Sequence, residues 1–374
     1  MHDHNPPQTG VNTSRLKLFV MILITVMVIV LMLLAVEAAV RVRQYVKFGS
    51  TATLESYYTV DPELNLRVPV ANYSSGRISI NSLGFRGPEI EVPKPPATVR
   101  VAFLGASTTW CGEVSSNSTV WPHLVIAALK RTFPGTQFDY VNGGVPGYFM
   151  ESILKNLTHR VAPLQPDVVV VYEGANNLSG ELRELAVQRG IIETSQVQES
   201  SWAGRHSLLW YLVEKNFRVL TAQREAQTSR NRLEVDPAIL GKEYRQGLTQ
   251  VVLAARQTAK LVAVATFSTQ LRREQSPEVQ LSASASALFY APFATPRLLI
   301  DSYGRYNQIM REVARETGAF LIEGENEIPG DALHFTDTVH FSDAGSNAMA
   351  ERISRSLAAS PVLREIVAAR TAAR

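Results

Sequence analysis

The sequence predicts an α/β protein, a three-layer α/β/α sandwich around a mostly parallel sheet, preceded by one N-terminal transmembrane helix. Three observations predict it: one long apolar run near the start, a strand-then-helix rhythm from Val99 onward, and small and polar residues gathered just after the candidate strands. Composition agrees. Of 374 residues, 45% are apolar and 19% charged, which excludes a disordered or fibrous chain. Lys and Arg number 37 against 34 Asp and Glu, and a net charge of +3 is too mild for a nucleic-acid binder. The one cysteine, Cys111, rules out an intrachain disulfide and a cysteine-rich zinc site.

Residues 1–17 read as a short tail, and 18–36 as the transmembrane anchor. In the 19 residues from Leu18 to Val36 only Thr25 falls outside the apolar set. A helix of that length reaches about 28 Å, close to the roughly 30 Å hydrocarbon thickness of a bilayer. A buried helix of a soluble protein would keep a polar face, and this run has none. Val36-Glu37-Ala38 could pass for a cleavage site, but a secretory apolar core spans only about 7 to 15 residues, so a retained anchor is expected. Arg15 and Lys17 stand before the run and Arg41, Arg43 and Lys47 after it. A difference of one basic residue leaves the membrane side open.

Residues 37–97 read as a linker and strap or small subdomain, closed by the stiff Val92-Pro93-Lys94-Pro95-Pro96. Residues 98–374 carry the main domain. Val99 to Leu104 is a short apolar strand, and Thr119 to Phe133 has helical spacing, with Pro122 tolerable only in the first turn. Phe138 to Val141, Val168 to Tyr172, Leu261 to Thr266 and Ala319 to Ile322 are further strand candidates. Helices are expected through Ile153 to Val161, Glu243 to Lys260 and Leu298 to Thr317. This alternation implies a parallel sheet covered on both faces. Two segments interrupt it: a mainly helical insertion at about 178–236, with Trp202, Trp210, Tyr211 and Phe217, and an irregular stretch from Ser276 to Pro296.

Parallel sheets place their sites at the carboxyl ends of the strands. There the sequence sets Gly105-Ala106-Ser107-Thr108, then Asn142 to Gly147, then Glu173-Gly174-Ala175-Asn176-Asn177, and late in the chain Asp337-Thr338-Val339-His340. Each piece alone is weak. Serine, then Gly-x-x-Gly, then Gly-x-Asn, then Asp-x-x-His, in this order and each behind a strand, resembles the SGNH (GDSL-like) hydrolase superfamily over Val99 to Leu357. The resemblance implies a flavodoxin-like sheet and a set of roles that also make chemical sense. Ser107 would be the nucleophile and His340 its base, because a hydroxyl is too weak an acid to attack unaided at neutral pH. Asp337 would hold the other imidazole proton and fix the tautomer. The oxyanion would rest on the N–H groups of Ser107 and Gly147 and the side-chain amide of Asn176, donors worth about 3 kcal/mol each in the transition state. Gly147 is preferred to Gly143 and Gly144 because the family places its glycine five residues after the asparagine, here Asn142.

The sequence departs from the family at Ala106, where an acid often precedes the serine, and at Asn177, where an aspartate often follows the asparagine. Neither belongs to the triad. Cys111 reads as packing and Glu173 as a cap or ion-pair partner. No metal-ligand cluster or phosphate loop is found in the sequence, so no metal or cofactor is expected. Anchor and triad together point to a serine esterase of the cytoplasmic (inner) membrane, its catalytic domain extracytoplasmic. Its partners would be an acylated carbohydrate or other ester, with acetyl as the expected acyl group, and the lipid bilayer through the N-terminal helix, without nucleic acid. An O-acyltransferase, a lipase or thioesterase, and a non-catalytic glycan-binding protein are the alternatives.

Overall fold

A computed structural model describes residues 13–48, 57–193, 201–228 and 232–372. Most of the tail, and residues 194–200 of the polar part of the insertion, lie outside the described residues. The chain divides into two units, residues 1–51 with 199–215 and residues 52–198 with 216–374. The first unit begins with α1 (Thr13–Phe48), which runs without a break through the apolar segment and beyond it. Leu16 to Val46 is long and apolar enough to cross a membrane, as an anchor or as a signal sequence.

The second unit opens with two small antiparallel pairs, β1 (Tyr58–Asp61) with β2 (Leu66–Pro69) and β3 (Ser74–Ser75) with β4 (Ile78–Ser79). Then come β5 (Thr98–Gly105), α2 (Ser107–Trp110), α3 (Trp121–Thr132), β6 (Gln137–Gly144), α4 (Met150–Asn156), β7 (Val168–Tyr172) and α5 (Ala175–Gln188). Next in the chain are α6 (Trp202–His206) and α7 (Leu208–Thr228). The body resumes with α8 (Lys242–Arg256), β8 (Leu261–Ala265), α9 (Pro277–Ala283), α10 (Ala285–Tyr290), α11 (Pro296–Thr317), β9 (Phe320–Ile322), α12 (Asp343–Ala359) and α13 (Pro361–Ala372).

Strands β5 to β9 form one five-stranded sheet in the order β6-β5-β7-β8-β9, every pair parallel. Every residue of β5, β7 and β8 is buried, as a sheet covered on both faces requires. Helices α3, α12 and α13 pack with one another and against β6 and β5, while α4, α8 and α11 form a second group against β8 and β9. These are the three layers of an α/β/α sandwich in flavodoxin-like order.

Local structure departs from the sequence expectations in three places. The helix expected through Ile153 to Val161 is α4 followed by a π-helical turn, Leu157–Val161. The insertion begins later than 178, because α5 buries Leu178, Leu182 and Ala186 at helical spacing and so belongs to the body. The stretch from Ser276, read as irregular, folds into α9 and α10. Ser276 caps α9 by accepting the Val279 N–H, and Pro277 occupies its first turn, but helices of seven and six residues are too short to show an apolar periodicity.

The strap is no loose linker. Arg86, fully buried, donates to the carbonyls of Trp110 (2.8 Å) and Cys111 and to Asn117 Oδ1 (2.9 Å), and so supplies donors that the end of the four-residue α2 cannot find in its own helix. Arg100, also fully buried, pairs with both oxygens of Asp139 at 2.9 and 2.6 Å and donates to the carbonyls of Leu164 and Glu91. Replacing Arg86 by Met strands buried carbonyls, each unmet partner costing about 1–3 kcal/mol. We expect Arg86→Met to lower unfolding stability by ~3 kcal/mol in urea titration of the detergent-solubilised chain, and an unchanged midpoint would contradict the role given to the guanidinium.

Candidate active site

The register of the sheet brings three strand ends level, with Gly105 of β5 opposite both Gly144 of β6 and Tyr172 of β7. This is the switch point of the strand order, where the chain leaves β5 and its neighbours lie on either side. Ala106 turns the chain, and Ser107 opens α2, which Cys111 ends in the left-handed conformation at φ 58°. Three contacts fix α2 over the strand ends. Thr109 Oγ1 donates to the Tyr172 carbonyl at 3.2 Å, Asn142 Nδ2 donates to the Thr109 carbonyl at 3.1 Å, and a Cβ on Gly144 would stand 2.5 Å from the Trp110 nitrogen. Gly144 is therefore a packing glycine, whereas Gly147 is exposed at φ +85° in the following turn.

His340 Nε2 lies 2.8 Å from Ser107 Oγ, and His340 Nδ1 lies 2.8 Å from Asp337 Oδ2. Residues 233 positions apart thus meet in one chain of hydrogen bonds. With Nδ1–H donated to the carboxylate, Nε2 is free to accept the serine proton. The loop from Thr336 to His340 is fixed by its own backbone. The N–H groups of Val339 and His340 both donate to Asp337 Oδ1 at 2.9 Å, and Thr336 N–H donates to the His340 carbonyl at 2.9 Å. Phe335 pairs with Phe341 across its neck.

Asn176 stands in the first turn of α5, where Glu173 Oε1 accepts its backbone N–H at 2.8 Å. Its side chain donates one amide hydrogen to the Tyr148 carbonyl at 2.9 Å, next to Gly147, and the amide carries a second. The Tyr148 hydroxyl donates to the Arg67 carbonyl of β2, so the strap also holds this loop. Ser107, Asn176, Asp337 and His340 are half-buried, open to a small reactant at the rim of the sheet. Asn177, where the family often has aspartate, accepts the Met150 N–H at 3.2 Å and so links α5 to α4.

Charges around the imidazole oppose its burial. Desolvation disfavours the imidazolium, but the carboxylates of Glu113, Asp337 and Glu173 outweigh it and hold the His340 pKa up at about 9. Asp337 feels the same desolvation, yet His340 and two backbone N–H groups keep its carboxyl below the usual range. Burial pushes Glu173 up to about 7 against the N–H groups of Asn176, Gly174 and Ala175, and its buried Oε2 has no hydrogen-bond partner among the described residues. Burial pushes the Cys111 thiol up to about 12, an inert packing residue. Glu113, Arg86 and Tyr148 serve this site without having been singled out from the sequence, because each acts on it only through tertiary contact or field. Among the described residues no group of three or more His, Cys, Asp or Glu could hold a metal ion.

Because the folded Glu173 pKa lies above its unfolded value, its contribution to stability is whole below about pH 4.5 and is lost as pH rises through about 7. Glu173→Gln keeps an acceptor for Asn176 and cannot ionise. Its stability relative to the parent is expected to rise by about 2 kcal/mol between pH 5 and pH 8 in parallel denaturant titrations, and a pH-independent difference would contradict the burial argument.

A profile of the GDSL-like lipase/acylhydrolase family matches residues 103–348, about two thirds of the chain. A search of curated protein sequences finds no match. Among solved structures, an acetylxylan esterase of Geobacillus stearothermophilus, Axe2, is similar at 16% identity and a TM-score of 0.43, over 71% of this chain and 95% of the esterase. LAE5, described as an alpha/beta hydrolase enzyme from the metagenome of Lake Arreo, Spain, is similar at 17% identity and a TM-score of 0.41, over 69% of this chain and 94% of its own. The family match spans the strand-end loops that carry Ser107, Asn176 and His340, and the chain belongs to the GDSL-like lipase/acylhydrolase family.

Proposed function

We propose that this ester-hydrolysing enzyme is a membrane-anchored serine esterase that removes acyl groups, acetyl first among them, from a carbohydrate at the cell surface. The observation that carries the reading is the unbroken hydrogen-bond chain Ser107 Oγ, His340 Nε2, His340 Nδ1, Asp337 Oδ2, with both links at 2.8 Å. His340 takes the Ser107 proton as Oγ attacks the ester carbonyl, and the oxyanion gathers the N–H groups of Ser107 and Gly147 and the second amide hydrogen of Asn176. The imidazolium then protonates the departing sugar oxygen, which leaves as a hydroxyl, and the acyl-enzyme that remains is hydrolysed by water activated by His340. The resemblance to the SGNH superfamily, together with the apolar helix that precedes the domain, supports an acylated carbohydrate with acetyl as the acyl group. It also supports placing the catalytic domain outside the cytoplasmic membrane, which a reporter fused to the carboxyl terminus tests.

Ser107→Ala is expected to abolish aryl acetate hydrolysis by the purified protein while its unfolding profile is unchanged, and undiminished turnover would end the proposal. Asn176→Ala should lower kcat about a hundredfold, the loss of one oxyanion donor. Because only neutral imidazole accepts the serine proton, kcat/KM should rise with pH through about 9, the pKa of the free enzyme's base. Glu113→Gln, which removes one of the carboxylates holding that value up, should move the midpoint down, and an unmoved midpoint contradicts the assignment. An acetylated saccharide that releases acetate only when an acceptor sugar is present would identify an O-acyltransferase instead. Preference for long-chain esters would identify a lipase.

A further inference from the structure

The four tryptophans fall into two classes. Trp110 and Trp121 are buried, whereas Trp202 and Trp210 are 69% and 48% exposed, and both exposed rings belong to the unit that contains α1. That unit is closed at Glu37, the first ionisable residue after the apolar run. The Glu37 carboxylate accepts hydrogen bonds from the N–H groups of Leu208 (3.1 Å) and Leu209 (2.9 Å) and from Ser207 Oγ (2.8 Å), so it caps the first turn of α7. Arg41, one helical turn on, pairs with Glu37 at 2.6 Å and donates to the His206 carbonyl at 3.4 Å. The corner between α6 and α7 is therefore tied to the α1 residue at which a 19-residue apolar span, about 28 Å long, reaches the edge of the hydrocarbon.

The side chains at this corner suit that depth. Trp210 donates its indole N–H to Glu214 Oε1 at 2.7 Å, so its exposed ring can leave water without stranding a donor. Val213, one turn along α7 on the same face, is 48% exposed. Trp202 stacks on His206 with ring centroids 4.6 Å apart. Amphipathic rings held beside the end of an apolar span match the aromatic belt of membrane proteins.

We propose that the α6–α7 corner lies in the headgroup layer of the bilayer that α1 crosses, with Trp202, Trp210 and Val213 in contact with lipid. The inference rests on α1 being a retained anchor, and the test separates the two. The full chain is reconstituted into phosphatidylcholine vesicles whose acyl chains are brominated near the headgroup. Bromine quenches indoles only at contact, α1 contains no tryptophan, and Trp110 and Trp121 are buried, so roughly half the tryptophan emission should be lost relative to unbrominated vesicles. In the double variant Trp202→Phe, Trp210→Phe the quenching should disappear while aryl acetate turnover stays at the parental rate. If the chain floats with the vesicles through an alkaline carbonate wash but its emission is unquenched, the corner faces water or another protein surface and the proposal is overturned. If the chain fails to float, the anchor reading fails first and takes this inference with it.

Discussion

The site depends on one geometric constraint, the level ending of three parallel strands. Gly105, Gly144 and Tyr172 lie side by side in register, so the loops that follow start from one line and must diverge over one rim. A shift of register would carry Ser107 or Asn176 along the strand direction by about 3.3 Å per residue, further than a hydrogen bond tolerates. The buried residues of β5, β7 and β8 hold that register, because a shift exposes apolar residues of β7 and β8 and, in β5, also pulls Arg100 from Asp139.

Above this line the polypeptide is held by donors from distant parts of the chain. Arg86 fastens the carbonyl end of α2, and the Tyr148 hydroxyl fastens the Gly147 loop to Arg67. Both connections come from or lead to the strap, which makes residues 57–87 part of the apparatus that positions Ser107 and Gly147. A serine set on so short a helix has little intrinsic helical stability to keep it in place, so its orientation is a tertiary property.

Electrostatically the site is an imidazole among carboxylates. Asp337 touches His340, while Glu113 and Glu173 act through the field, and together they outweigh the desolvation that would otherwise keep the ring neutral. In the proposed mechanism the same arrangement stabilises the imidazolium formed when Ser107 gives up its proton, at the expense of a base that is free only in alkaline solution. Glu173 serves two ends. It caps the helix that carries Asn176 and, remaining partly protonated near neutrality, avoids the full cost of a buried charge.

Strand and helix order, the four loops with Ser107, Gly147, Asn176, Asp337 and His340, and the apolar run of α1 were all legible in the sequence. Each rests on a local signal: hydrophobic periodicity, a turn after a strand, or an uninterrupted apolar stretch. The short helices after Ser276 and the start of the insertion were not, because helices of six or seven residues are too short to show a period and the polar face of α5 concealed its buried one. Sequence alone determined that Ser107, Gly147 and Asn176 would reach the rim, since strand-end position follows from the pattern of the strand before each, whereas Asp337 and His340 lie 15 residues or more beyond β9 and were legible only through their Asp-x-x-His spacing. Only the tertiary structure decided the 2.8 Å approach of Ser107 and His340, the burial that raises Glu173, and the clasp of Glu37 on α7. Those depend on distances and dielectric surroundings between residues far apart in the chain, which no local pattern encodes.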